Sequence, residues 1–140
     1  MCGIGSRARS DVLLSRALDA FRAGISTLLA KDADEVIGFA DYGPCWDEDL
    51  PHAGEVYAIY LLSGYYGKGI GSRLMNTALQ AMPEHDEIVV WVFEGNERAI
   101  RFYEGLGFRF DGKSQVLDFG GEATGLRMRL RRYPEAKSLC

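Results

Sequence analysis

The sequence predicts an α+β domain: a mixed, mostly antiparallel sheet with a parallel strand pair at its centre and helices on both faces. Three observations predict it. Val56–Leu62 is apolar or aromatic at every position, the mark of a strand buried on both faces. A second strand, Glu87–Phe93, follows after one helical stretch, and strand–helix–strand at this spacing is a right-handed parallel crossover. Ile25–Lys31 and Glu35–Tyr42 flank the turn Asp32-Ala33-Asp34, which makes them an antiparallel hairpin.

The other elements follow in order. Ser10 caps a helix running to about Ala23, with Gly24 as its stop; Val12, Leu14, Ala17, Leu18 and Phe21 share its apolar side. Gly43–Gly54, with Pro44, Pro51 and several acids, is a loop. Gly64–Gly71 is glycine-rich. Ile70, Leu74, Met75, Ala78, Leu79 and Met82 then recur at helical spacing, so a helix begins near Gly69 and ends before Pro83. Asn96 caps a further helix with Ala99, Ile100, Tyr103 and Leu106 inside and Gly107 as its left-handed stop. Phe108–Phe110 and Gln115–Phe119 form one strand interrupted near Asp111-Gly112. Leu126, Met128 and Leu130 alternate with Arg127, Arg129 and Arg131, the pattern of a half-buried terminal strand.

The chain has 140 residues, 47% apolar and 26% charged, and suits one domain, 1–140. No apolar run approaches the roughly 18 residues a membrane span requires, and no secretory leader pattern follows Met1–Ser10. A cytoplasmic protein with no membrane partner is expected. The net charge of −4 argues against general nucleic-acid binding, and the three arginines read as a polar strand face rather than a nucleic-acid stripe. Cys2, Cys45 and Cys140 are far apart and lack metal spacing with His52 or His85, so no metal and reduced thiols are expected. Met1-Cys2-Gly3-Ile4 resembles the start of N-terminal-cysteine amidotransferases, but nothing downstream supplies the context of that motif. Trp46-Asp47-Glu48-Asp49 with His52 reads as a solvated acidic loop, the alternative being attraction of a cationic amine.

Chemistry concentrates in Tyr66-Gly67-Lys68-Gly69-Ile70-Gly71-Ser72, between a strand and a helix. A helix N-terminus offers unpaired N–H groups and partial positive charge, and glycines let that backbone approach a phosphate. Lys68 adds charge. The segment fits neither a P-loop, which needs Gly-Lys-Ser/Thr, nor G-x-G-x-x-G, whose last glycine would be Ser72 or Leu74.

With its neighbours, the run from Ala58 to Met75 resembles the acyl-CoA motif of the GNAT superfamily of N-acetyltransferases, in which a strand, a Q/R-x-x-G-x-G/A loop and a helix bind cofactor. Asn96-x-x-Ala99-x-x-x-Tyr103-x-x-x-Gly107-Phe108 resembles a second motif of that family, in the expected order. The resemblance covers about 25–131. It implies acetyl transfer from acetyl-CoA, as cosubstrate, to a primary amine of a small molecule or peptide by direct attack, with no metal. It implies that the backbone of Ile59, Tyr60 and Leu61 pairs with the pantetheine arm, the Leu61 N–H facing the thioester oxygen. Tyr66, Gly67, Lys68, Gly69, Ile70, Gly71 and Ser72 would hold the pyrophosphate, Asn96 would contact the cofactor arm, and Tyr103 would protonate the departing thiolate. Glu55, eleven residues before Tyr66, is the implied base; the alternatives are an exposed strand-end carboxylate or a water chain in its place.

The sequence departs from the family at Tyr66, the Q/R position, and at Ser63, where Pro is common. The first family strand and a helix also have no counterpart in this reading. A sheet opening at Ile25 would have a bare edge, which favours a homodimer. A non-catalytic acyl-CoA-binding or sensor module is the alternative function.

Overall fold

The computed structural model describes residues 12–16, 24–118 and 120–132. Seven strands form one mixed sheet in the order β1-β2-β3-β4-β5-β7-β6. The chain divides into two compact units, one from the described parts of Met1–Pro44 with Val56–Pro83, the other from Cys45–Glu55 with the described parts of Glu84–Cys140.

In the first unit, β1 (Val12–Arg16) pairs antiparallel with β2 (Ser26–Asp32), from Val12 opposite Asp32 to Arg16 opposite Leu28. This corrects the expected Ser10–Ala23 helix over Val12–Arg16; residues 17–23 lie outside the described residues. Val12 is buried while Leu13 beside it is 67% exposed, the alternation of a strand. The unpaired N–H and C=O groups along β2 outweigh a helical periodicity of only a few apolar residues. The bare edge expected at Ile25 is therefore occupied. Arg73 donates to the Val12 carbonyl at 3.2 Å and Arg16 to the Ser26 hydroxyl at 3.1 Å, tying the strand at both ends.

β2 turns into β3 (Glu35–Pro44) through Ala33-Asp34, with Ala33 in the left-handed region at φ 55°. Gly38 lies where β3 meets β4 (Gly54–Leu61): a Cβ there would stand 2.6 Å from the Tyr60 carbonyl oxygen. That approach admits no side chain. The expected burial of this strand on both faces is half right. Val56 and Leu61 are buried, but Tyr60 is 52% exposed, so one face is open at the point the resemblance gives to the pantetheine arm. Helix α1 (Ile70–Gln80) packs on β2 and β3 with Ile70, Leu74, Met75, Ala78 and Leu79 inside.

In the second unit the start of β4 runs parallel to β5 (Glu87–Phe93), Gly54 opposite Ile88 and Glu55 opposite Val89. Helix α2 (Glu97–Gly105) begins at Asn96, whose Oδ1 accepts from the Ala99 N–H at 3.3 Å, as its cap role predicts. β6 (Arg109–Asp118) shifts register between Phe110 and Ser114, at the expected interruption. β7 (Glu122–Arg131) inserts between β5 and β6, antiparallel to both. The last strand of the chain is thus interior to the sheet, and its arginine face is not uniformly solvated: Arg127 is 3% exposed.

Candidate functional site

In the first unit, the open end of β4 leads into a single 3-10 turn, Ser63–Tyr65, and then the glycine segment. The Tyr65 phenol donates to Asp32 at 2.5 Å and anchors the turn to the β2–β3 hairpin. Gly67 and Gly69 have φ of 77° and 82°, which side-chain-bearing residues rarely adopt, and a Cβ at either would meet open space. Gly69 is the N-cap of α1 and no side chain caps the helix there. The first-turn N–H groups after it have no intrahelical acceptor. The structure therefore brings Ile59, Tyr60 and Leu61 into one strand, with the segment from Tyr66 to Ser72 as the turn and helix start that follow it. Tyr66 is exposed, and Lys68 is half-buried beside the two left-handed glycines.

In the second unit, Glu55 sits among Cys45 and Asp47, the donor atoms of all three within 4.8 Å of one another. Burial first, then the charge of Asp47, pushes the Glu55 carboxyl up to about 7; the Cys45 thiol and the Trp46 N–H hydrogen-bond it and pull the other way, as does the Arg127 charge. A carboxyl poised near neutrality can take a proton from an ammonium group and release it to water within the physiological range. Burial first, then the charges of Glu55 and Asp47 and a hydrogen bond to Asp47, push the Cys45 thiol up to about 12, so it stays protonated as a donor shared between the two carboxyls. A cation held by this trio would have to displace both protons and compete with Arg127 for Asp47.

Asp47 is fixed from two sides. The Trp91 indole N–H donates to it at 3.2 Å and an Arg127 nitrogen at 3.1 Å. Arg127 also grips Asp49 with two nitrogens, at 2.9 and 2.7 Å, and Asp111 through Nε at 2.7 Å, with its guanidinium 5.9 Å from the Trp91 ring centre. Asp49 is held down to about 2 by the hydrogen bonds of Arg127. Asp47 and Asp49 of the acidic loop are therefore tied to Arg127 rather than simply solvated, while Glu48 is exposed. Sequence reasoning missed this cluster, Cys45 included, because its members come from positions 45–49, 55, 111 and 127 and no local pattern joins them.

Tyr103, on α2, is 7% exposed and packs its ring against Phe102 and Phe108, with centroids 5.5 and 5.7 Å away. Burial pushes its phenol up to about 12, which keeps it protonated and able to donate at neutral pH. Asn96, at the start of the same helix, spends its Oδ1 on the cap and keeps its amide N–H groups.

The seven-stranded mixed sheet with its parallel β4–β5 pair is an α+β architecture. The chain matches the acetyltransferase (GNAT) family over residues 5–108. It belongs to that family. It is similar to the spermine/spermidine N(1)-acetyltransferase of Bacillus subtilis (strain 168), 37% identical over 95 residues, which are 63% of this chain and 60% of the relative. The chain thus spans less than two thirds of that protein. Among solved structures it is similar to a protein of Pyrococcus horikoshii OT3, with 28% identity, a TM-score of 0.66 and coverage of 76% of this chain and 65% of the other. It also shares its fold with a GNAT family acetyltransferase of Elizabethkingia anophelis with acetyl-CoA bound, with 16% identity, a TM-score of 0.65 and coverage of 86% and 98%.

Proposed function

We propose that this protein transfers an acetyl group from acetyl-CoA to a primary amine of a small molecule or peptide, by direct attack of the amine on the thioester. The observation that carries the reading is the glycine turn at the uncapped start of α1, directly after a strand with an open face. Family membership supports the choice of acetyl-CoA as the guest, and the acetyl-CoA named for the Elizabethkingia anophelis protein agrees with it.

In this reading the N–H groups of the turn and of Ile70, Gly71 and Ser72 bind the pyrophosphate, with Lys68 supplying charge. The pantetheine arm lies along Ile59, Tyr60 and Leu61 as an added strand, and Asn96 contacts the arm with its amide N–H groups. Glu55 takes the proton of the ammonium group, which frees the nitrogen lone pair. The nitrogen attacks the thioester carbon, the carbon–sulfur bond breaks, and Tyr103 gives its proton to the leaving sulfur. The second proton of the attacking nitrogen passes through water to restore the Tyr103 phenol, while Glu55 releases its proton to water. The products are an amide and free CoA. Because the curated relative is named for spermine and spermidine, those polyamines lead the acceptor screen.

The test has two arms. Thermal shift with acetyl-CoA, CoA, ATP and NAD should single out the CoA compounds; equal shifts with all four would remove the cofactor assignment. Thiol release with acetyl-CoA and a panel of amines, spermine first, should show turnover. Tyr103→Phe should then lower kcat by about 10²–10⁴ with cofactor affinity nearly unchanged. CoA binding without release on any amine would favour a binding module instead.

A further inference from the structure

Glu55 does not stand in a generic apolar pocket. Its closest polar neighbours arrive on the stretch that follows β3, where the Cys45 N–H donates to the Ala53 carbonyl at 2.9 Å and closes the loop back onto the start of β4. That loop is further cinched by Leu50 and Ala53, whose N–H groups bond to the Asp47 and Leu50 carbonyls. Cys45, Ala53 and Val89 are buried together, with Leu50 and Trp91 packed on them. The thiol of Cys45 is thereby held with its sulfur within 4.8 Å of a carboxylate oxygen of Glu55 and of one of Asp47. Asp47 is fixed beside both by the Trp91 indole and by Arg127.

Taking the base role of Glu55 from the proposed function, we propose that Cys45 and Asp47 are positioning residues for it. The thiol, a donor shared between the two carboxyls, steadies the Glu55 carboxylate, and Asp47, locked by Trp91 and Arg127, sets a second negative charge beside it.

The two act in opposite senses. A donor to the carboxylate favours its charged form; a neighbouring anion disfavours it. Among the described residues, the titratable and charged groups facing Glu55 are Cys45 and Asp47 from the loop and Arg127 from β7; β5 presents Val89 and Trp91, neither of which titrates in this range. Arg127 adds a positive charge, but its nitrogens are committed to Asp47, Asp49 and Asp111. A loop that merely filled space would not require this charge arrangement, since apolar residues of equal volume would bury Glu55 as well.

The experiment follows the Glu55 carboxyl carbon by NMR across pH 4–9 in the full chain, with Glu55→Gln assigning the resonance. Asp47→Asn keeps the acceptor for the Trp91 indole and removes the charge. It should move the titration midpoint down by at least about 0.5 in pH. Cys45→Val removes the donor and should move the midpoint up by a similar amount, and Cys45→Ser should bring it back toward the wild-type value. The acidic limb of the kcat/KM profile should move with the midpoint in each variant. Midpoints unchanged in folded Asp47→Asn and Cys45→Val, or moved in the same direction, overturn the proposal. Shifted midpoints with an unmoved acidic limb, or full activity in Glu55→Gln, overturn the base reading instead. If Cys45→Val does not fold, the opposite pair is read from Asp47→Asn and Cys45→Ala.

Discussion

The turn before α1 and the cluster around Arg127 both gather hydrogen-bond donors and positive charge, and they use different groups. The turn is backbone: two glycines in left-handed conformation, first-turn N–H groups, and one lysine, all within 66–72. The cluster is side chain: one guanidinium sharing three carboxylates that lie 16, 78 and 80 residues away in sequence. The helix start after the turn has no side-chain cap; the cluster uses its donors internally. The first arrangement suits a ligand that comes and goes. The second fixes a loop, and with it the surroundings of Glu55.

If that contrast is right, breaking the cluster damages the fold, whereas changing the turn damages binding. Arg127→Met should have the largest effect. It strands Asp47 beside Glu55 and removes one partner from Asp111, which is nearly buried; Arg129 still reaches Asp111 at 2.9 Å. A loss of about 3–5 kcal/mol is expected, read as a lower midpoint in urea unfolding. The half-exposed Asp49 should contribute least to it, because water screens that ion pair. A midpoint within experimental error of wild type would mean that the cluster is ornamental.

The second prediction uses pH. The Glu55 carboxyl is raised from an ordinary 4.5 to about 7 in the folded chain. A raised carboxyl stabilises the fold when protonated, so its contribution is fully present below about 4.5. It is lost as pH rises through about 7, because the unfolded chain then ionises more readily than the folded one. Stability should fall by about 2–3 kcal/mol across that window. Glu55→Gln should remove this dependence. Asp49 works in the opposite sense and at lower pH: it is held down to about 2, so its contribution is lost only as pH falls toward that value. A Glu55→Gln variant with the wild-type pH dependence would show that another group carries it.

The third prediction addresses the turn. Gly71→Glu places a carboxylate in the first turn of α1, where the helix dipole tolerates it, so the unfolding midpoint should barely move. Acetyl-CoA affinity should nevertheless drop at least tenfold, about 1.4 kcal/mol, by calorimetry. Equal losses of stability and affinity would dissolve the distinction between the two regions.

The same contrast explains what the sequence made legible. The turn, α1, β5, α2 and its Asn96 cap are local: each is set by residues within a few positions of one another, and each appears where the pattern puts it. β1 was misread because Val12-Leu13-Leu14 fits a helix face and a strand equally well over so short a run, and the pairing with β2 decides between them. Arg127 was misread because alternation with Leu126 and Met128 says which residues share a face, not whether that face is covered. The position of β7 between β5 and β6, with the acidic loop over its arginine, covers it. Glu55 was singled out by resemblance, but the thiol and carboxylate beside it had no sequence signal, since burial and proximity are properties of the folded loop.

The smallest expected effect separates the two regions by salt. Lys68→Met removes one point charge from the turn and leaves its glycines and N–H groups in place. Acetyl-CoA affinity should fall about two- to fivefold at low salt, the range of one partly solvated charge on a phosphate. Added salt screens that charge in the wild type, so the difference between the two proteins should shrink as ionic strength rises from about 0.01 M to 1 M, where the Debye length contracts from about 30 Å to 3 Å. The Arg127 cluster should not respond in the same way, because its central guanidinium is almost entirely shielded from solvent. Titrations of wild type and Lys68→Met with acetyl-CoA across this salt series, beside urea unfolding of wild type in the same buffers, make the comparison. Affinity that falls with salt while stability stays nearly level is the expected result. A stability that falls as steeply as the affinity would place the cluster in the same solvated class as the turn, and the division of labour between backbone and side chain would have to be abandoned.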